Sequence, residues 1–225
     1  MAGKASPHRA AKRNALIDEA TRAYAAQGYV AASLDRVAGG LGRTIGYLRL
    51  YFPDKASLIR TVAERHFTRL FAALDRTEPG RDAAGAAPVA ALERLVLSYL
   101  GYLLGEGAAS HRVVQHLTYD PASGLQAELF TMRGWLTALF DDALGQAVPG
   151  LGARPELAAR LALMLLAMLE SLAMPGAATP ACADAAPAAE TAQLAVACIL
   201  SAAREAMRQP ASPCSDECAS WASPV

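Results

Sequence analysis

At 225 residues and 23.5 kDa the chain is long enough for one or two domains with a sizeable core. With 53% hydrophobic residues it is too apolar for a disordered chain. Its longest strongly apolar run, Leu161 to Leu169, is nine residues, short of the ~20 that a membrane span needs. The basic N-terminus lacks an apolar stretch, so no signal peptide is read and a cytoplasmic protein is the default expectation. The net charge of zero hides an asymmetry: residues 1–76 carry 13 Lys+Arg against 6 Asp+Glu, and the remainder carries 8 against 15. A basic first third on an acidic body points to an anionic or nucleic-acid partner for that third alone. The 52 Ala and 30 Leu against 10 Val and 4 Ile favour an all-α protein.

In chain order, residues 1–10 read as a disordered basic arm. A first helix runs from near Arg9 or Asn14 to Gln27, where Gly28 stops it. Ser33 caps a second helix, Leu34 to about Gly39, and Thr44 caps a third, Ile45 to about Phe52, across a glycine turn. After Pro53-Asp54 a fourth helix spans Lys55 to about Arg76, followed by a Pro/Gly/Ala linker, 77–88. Further helices are expected over Val89–Leu104, Ser110–Tyr119, Gly124–Val148 and Pro155–Met174. A loop over 175–187 leads to a last helix, Ala188–Arg208, and a disordered tail, 209–225. Cys198 reads as a small core residue; Cys182, Cys214 and Cys218 complete the cysteines, without the histidine a zinc set would need. No metal or cofactor site is read.

Three short helices, the second and third joined by a glycine turn, predict a helix-turn-helix DNA-binding unit. Ala38 is the small residue for the helix crossing, Thr44 the cap, and Ile45–Tyr51 the projecting surface. Over residues 12–62, Gly28-Tyr29, Ser33, Val37-Ala38, Gly42, Thr44, Gly46, Leu48, Tyr51-Phe52, Lys55 and Leu58 follow one contiguous pattern. In these residues the sequence resembles the TetR family of transcriptional regulators.

The resemblance implies a DNA-binding domain over 11–54, with the helix-turn-helix at about 33–52, and a helical regulatory and dimerisation domain over 55–208. It implies a homodimer through the last two long helices, double-stranded DNA with a pseudo-palindromic operator as partner, and a repressor released by a small, largely apolar effector. Such a protein is not an enzyme. Independently, Leu157, Leu161, Met164, Leu165, Met168, Leu169 and Leu172 cover more of one helix than an intrachain core needs.

The resemblance places Ile45, Tyr47, Arg49, Leu50 and Tyr51 around the DNA-facing surface. Arg49 is the candidate for bidentate contact with guanine O6 and N7. Ser33 and Thr44 are caps whose hydroxyls also face phosphate, Arg43 is an extra phosphate contact, and Lys55 a phosphate clamp. Leu48 and Phe52 are expected in the core. Arg43 stands where the family usually has an apolar residue, Tyr47 where it has a small or hydroxylated one, and Arg49 where tyrosine is common. Gly39-Gly40 weakens the end of the second helix.

In the regulatory part Tyr99, Tyr102, His116, Met132, Trp135, Met168 and Glu170 are the candidate ligand residues, each also compatible with ordinary core packing. Glu170, a lone carboxylate amid Leu and Met, must find a ligand, an arginine or solvent. Two alternatives use the same residues: a helical enzyme with His111, His116 or Glu170 as acid–base groups, and a helical adaptor that no longer reads DNA. The run GGLGRTIG lacks the Gly-Lys-Ser/Thr ending and a preceding strand, which excludes a nucleotide-binding loop.

Overall fold

The structure, a computed structural model, describes residues 7–75, 87–173 and 185–208. Most of the 77–88 linker, most of the 175–187 loop, the tail and three of the four cysteines lie outside the described residues. Nine helices are described: α1 (Pro7–Ala31), α2 (Leu34–Gly40), α3 (Ile45–Arg49), α4 (Lys55–Asp75), α5 (Pro88–Leu104), α6 (Ala108–Tyr119), α7 (Gln126–Ala147), α8 (Pro155–Leu172) and α9 (Ala185–Arg208). No strand occurs among the described residues. No helix among them is long and apolar enough to cross a membrane.

Part of the expected arm is helical. Pro7 opens α1, where its fixed φ and missing N–H cost nothing. Gly28 (φ 79°, ψ 168°) breaks α1 as expected, and a short turn resumes through Ala31. Ser33 Oγ accepts from Arg36 N at 3.2 Å and Thr44 Oγ1 from Tyr47 N at 3.3 Å, so both caps form. The intervening turn closes through Gly42 (φ 62°), with Arg43 N donating to Ala38 O at 2.9 Å. α3 is shorter than expected. It ends at Arg49, and Leu50–Phe52 wind on as a turn held by Tyr51 N and Phe52 N on Leu48 O, because Pro53 cannot continue a helix. Asp54 then caps α4 by accepting from Ser57 N at 2.7 Å, while its own N–H reaches Ser57 Oγ.

Leu16, Ile17, Ala20, Tyr24, Val37, Ala38, Leu48, Phe52, Leu58 and Ile59 are buried together and fix the α1–α3 unit on the start of α4. α1 also packs along α6, which joins this unit to the rest of the chain. Beyond it α5 packs on α4, α7 and α9, and α8 lies between α7 and α9.

Further boundaries differ from the sequence reading, α6 for instance starting at Ala108 rather than Ser110. Asp120 caps a separate 3₁₀ turn at Pro121–Ser123 and Gly124 takes φ 64°, so α7 begins only at Gln126. α8 closes at Leu172 rather than Met174. α9 starts at Ala185, with Pro187 inside its first turn. Cys198 is exposed on α9 and not in the core. It falls outside the buried stripe Ala192, Ala195, Val196, Ile199, Leu200 and Ala203. On α8, Leu161, Leu165 and Leu169 face inward, whereas Leu163 and Met164 are more than half exposed.

Candidate nucleic-acid interface

α3 has one buried side chain, Leu48, and presents the rest outward. Arg49 is exposed, with no partner among the described residues; Leu50 is exposed and Ile45 half-exposed. Basic and aromatic groups then alternate across the surface. The Arg43 guanidinium lies 5.2 Å from the Tyr47 ring centroid, Tyr47 lies 5.5 Å from Tyr51, and Arg9 lies 5.8 Å from Tyr51. Cation–π contact holds these rings and charges in one layer. A hydrogen bond with Tyr47 pushes the Tyr51 hydroxyl upward, so it stays protonated and able to donate. Ser33 and Thr44 accept backbone N–H with their oxygens, which leaves each hydroxyl proton free to donate outward.

Sequence reasoning missed the contribution of α1. His8, Arg9 and Lys12 line an open groove of about 380 Å³ with Leu50 and Tyr51, so the helical part of the arm extends the basic surface of α3. The signal was present as three basic residues at i, i+1 and i+4 before an apolar stripe.

Lys55 departs from the reading of a free phosphate clamp. Its ammonium donates to Tyr29 O, lies 3.4 Å from Val30 O, and sits over the Tyr29 ring at 4.3 Å. The break at Gly28 turns these carbonyls toward it, a cation satisfying a helix C-terminal end. Burial pushes its pKa down.

The interior of the helical body splits the candidate ligand residues into separate groups. Tyr102 joins a polar cluster under α4 with His66, which the sequence reading did not single out. Tyr102 OH donates to His66 O at 3.0 Å, and His66 Nδ1 meets Ser110 Oγ at 2.9 Å. Because Ser110 donates to Gly107 O, the imidazole Nδ1 is the donor. The signal was a histidine continuing the stripe Leu58, Ile59, Val62 on α4. Tyr99 reaches instead toward Glu170, which is paired with Arg133 at 3.0 Å. Met132 and Met168 are half-buried beside that pair in sequence. Trp135 (61% exposed) and His116 lie on the surface. Position 135 falls off the buried stripe Leu129, Leu136, Phe140 and Leu144 of α7, and His116 lies against the Gly28 break of α1.

The two buried histidines give a pH prediction. Burial pushes His66 down to about 3, with His111 adding to the fall. Burial pushes His111 down to about 4, the Arg133 charge adding to the fall and the Glu170 charge opposing it. Both are therefore neutral in the fold, while unfolded imidazoles titrate near 6.5. Stability is full above about pH 6.5 and falls as pH drops toward about 4, by up to ~1.4 kcal/mol per pH unit for each histidine. Thermal unfolding across this range checks it, and His66→Gln should make the slope shallower.

Gly107 shows how tightly the cluster is built. A Cβ there would stand 2.3 Å from the Tyr102 ring, which its hydroxyl bond holds in place. Gly107→Ala is expected to destabilise by about 1–3 kcal/mol through overpacking, read as a lower urea midpoint at unchanged m.

An exposed cation–aromatic helix on a helix-turn-helix frame, followed by a helical body, defines an all-α helix-turn-helix architecture. It is the fold of TetR-family transcriptional regulators. A TetR-like regulator from Rhodococcus sp. RHA1 superposes with a TM-score of 0.68 at 19% identity, covering 89% of this chain and 98% of that one. A TetR-family regulator from Bordetella parapertussis 12822 gives 0.68 at 20% identity over 84% and 94%. The crystal structure of AibR in complex with isovaleryl coenzyme A and operator DNA gives 0.61 at 16% identity over 83% and 97%. No family model and no curated protein matches the sequence.

Proposed function

We propose that this chain is a ligand-responsive DNA-binding transcriptional regulator, acting as a dimeric repressor. The observation that carries the reading is the outward face of α3. Arg49 is uncommitted there, flanked by the Arg43–Tyr47–Tyr51–Arg9 layer, on a fold shared with regulators including one whose structure holds operator DNA. In this reading α1–α3 bind duplex DNA and α4–α9 regulate. Arg49 reads a base edge, while Arg43, Ser33, Thr44, Tyr47 and Tyr51 position the backbone, with Ile45 and Leu50 against the groove.

The homodimer forms through α8 and α9. Leu163 and Met164 on α8 and Leu194 on α9 are more than half exposed, an outward apolar face that a second copy covers. Each protomer then sets one α3 into successive major grooves of a pseudo-palindrome. A small effector in the helical body favours a dimer with wrongly spaced recognition helices, and DNA affinity falls by its differential affinity for the two states.

The test is fluorescence anisotropy on duplex from upstream of the chain's own gene and on duplexes selected from random sequence, at several salt concentrations. Specific binding by a dimer with a steep salt slope is expected. Equal, weak binding to selected and random duplex would overturn the reading.

A further inference from the structure

We propose that the first two turns of α1 are a second DNA-contacting element, in which His8, Arg9 and Lys12 grip the phosphodiester strand flanking the bases read by α3. The proposal deepens the regulator reading above and rests on it for the identity of the strand.

The sign of charge singles out the groove that these side chains line with Leu50 and Tyr51. The cleft of about 410 Å³ between α4, α5 and α7 holds Asp75, and a cavity of about 190 Å³ between α1, α4 and α6 mixes arginines with Asp18 and Glu106. In the smaller one Arg65 is already paired with Asp18. No carboxylate lines the α1 groove among the described residues, and none of its three basic side chains has a hydrogen bond or ion pair among them. The first turn of α1 holds no acidic residue either. Such a surface takes an anion, and an open groove of about 380 Å³ beside exposed Leu50 suits a polyanionic chain better than an enclosed small ligand.

The place of the groove indicates which chain. Arg43 lies before the start of α3, over Tyr47, whereas the groove opens past its end, at Leu50 and Tyr51. Cations therefore stand at both ends of a helix of five residues. A major groove about 12 Å wide carries a phosphate strand along each edge, so each group of cations has a strand to meet. With Leu48 turned inward, so short a helix reaches few bases, and phosphate contacts must supply much of the affinity.

The basic turns are held in place beside α3. Arg13, one turn after Arg9, lies 5.0 Å from the Phe52 ring centroid and donates to Thr61 Oγ1 at 3.3 Å. Leu16 and Ile17, on the following turn, are buried. Arg9 itself lies over Tyr51. Fixing the cations before DNA arrives removes the ordering cost that a flexible arm would meet on binding.

The test uses the full chain and its selected duplex, with single methylphosphonate linkages that each remove one phosphate charge, placed in turn along both strands. For the parent protein, linkages just outside the bases whose discrimination Arg49→Ala relaxes should each cost about five-fold in affinity. The triple variant His8→Gln/Arg9→Gln/Lys12→Gln should bind the unmodified duplex at least about ten-fold more weakly, with a salt slope shallower by about two units. It should lose its sensitivity to those flanking linkages and keep its ranking of single-base variants, because phosphates carry no sequence information. Lys12→Gln alone should take about one unit from the slope. The three side chains are exposed or half-buried and unpaired among the described residues, so Tm should stay with the parent. An unchanged salt slope, retained sensitivity to the flanking linkages, or an altered ranking of bases would each overturn the role of the groove. Absence of specific duplex binding by the parent would instead overturn the regulator reading, with the slopes on random duplex still deciding whether the groove takes phosphates.

Discussion

Replacing Arg49 with alanine is expected to lower affinity for the specific duplex by about 1–3 kcal/mol, the worth of one bidentate guanine contact. The side chain is exposed on α3 and has no partner in the protein among the described residues, so its removal leaves nothing buried and unpaired. Stability should therefore hold while binding falls. Two controls separate base reading from mere charge. Arg49→Lys keeps the charge but loses the fork, and should recover little of the loss. Arg43→Ala removes a guanidinium that lies over Tyr47, and should weaken specific and random duplex alike and shallow the salt slope by about one unit. Anisotropy on the selected duplex and on single-base variants of it decides. Loss from Arg49→Ala that is equal on specific and random DNA would make Arg49 a phosphate contact, and no loss would make it a solvated surface residue.

Much of this surface was legible because its determinants are local. A cap needs one hydroxyl before a helix, and Ser33 and Thr44 form caps where the sequence puts them. Gly28 and Gly42 take positive φ where a break and a turn are required. What stayed hidden depends on contacts distant in sequence. Lys55 looked like a phosphate ligand from its place at a helix start. Only the packing of α4 against the broken end of α1, 26 residues earlier, brings Tyr29 O to its ammonium. Trp135 and Tyr102 carry the residue types that ligand cavities use, yet one faces outward and the other locks onto His66, 36 residues away. Arg133 was overlooked although it sits on the buried stripe of α7 between Leu129 and Leu136. An arginine at such a register was as informative as the glutamate it pairs with. The glycines 39 and 40 differ in cause as well. Gly39 has open space, whereas a Cβ at Gly40 would meet the Glu19 carboxylate of α1, which would have to swing aside.

Replacing Glu170 with alanine is expected to destabilise the fold by about 2–3 kcal/mol. Breaking a buried pair by removing one partner costs about 3–5 kcal/mol, because the other charge is stranded. Arg133 retains 22% exposure and can reach partly toward water, which sets the expectation below that range. Glu170→Ala also withdraws the Tyr99 hydroxyl's acceptor, in a core where that phenol is almost fully buried. Arg133→Met alone should cost a similar amount, since a carboxylate 13% exposed would then lie among leucines. The double variant Arg133→Met/Glu170→Leu should return to within about 1 kcal/mol of the parent, as apolar replacements of enclosed pairs often do. Urea unfolding at unchanged m reads all four proteins, and the strong non-additivity is the signature of a coupled pair. Single variants within about 0.5 kcal/mol of the parent would mean that the pair is solvated and energetically idle. The expected outcome has a further consequence. If the apolar pair supports the fold as well as the charged one, packing alone does not require Arg133 and Glu170 at the junction of α5, α7 and α8.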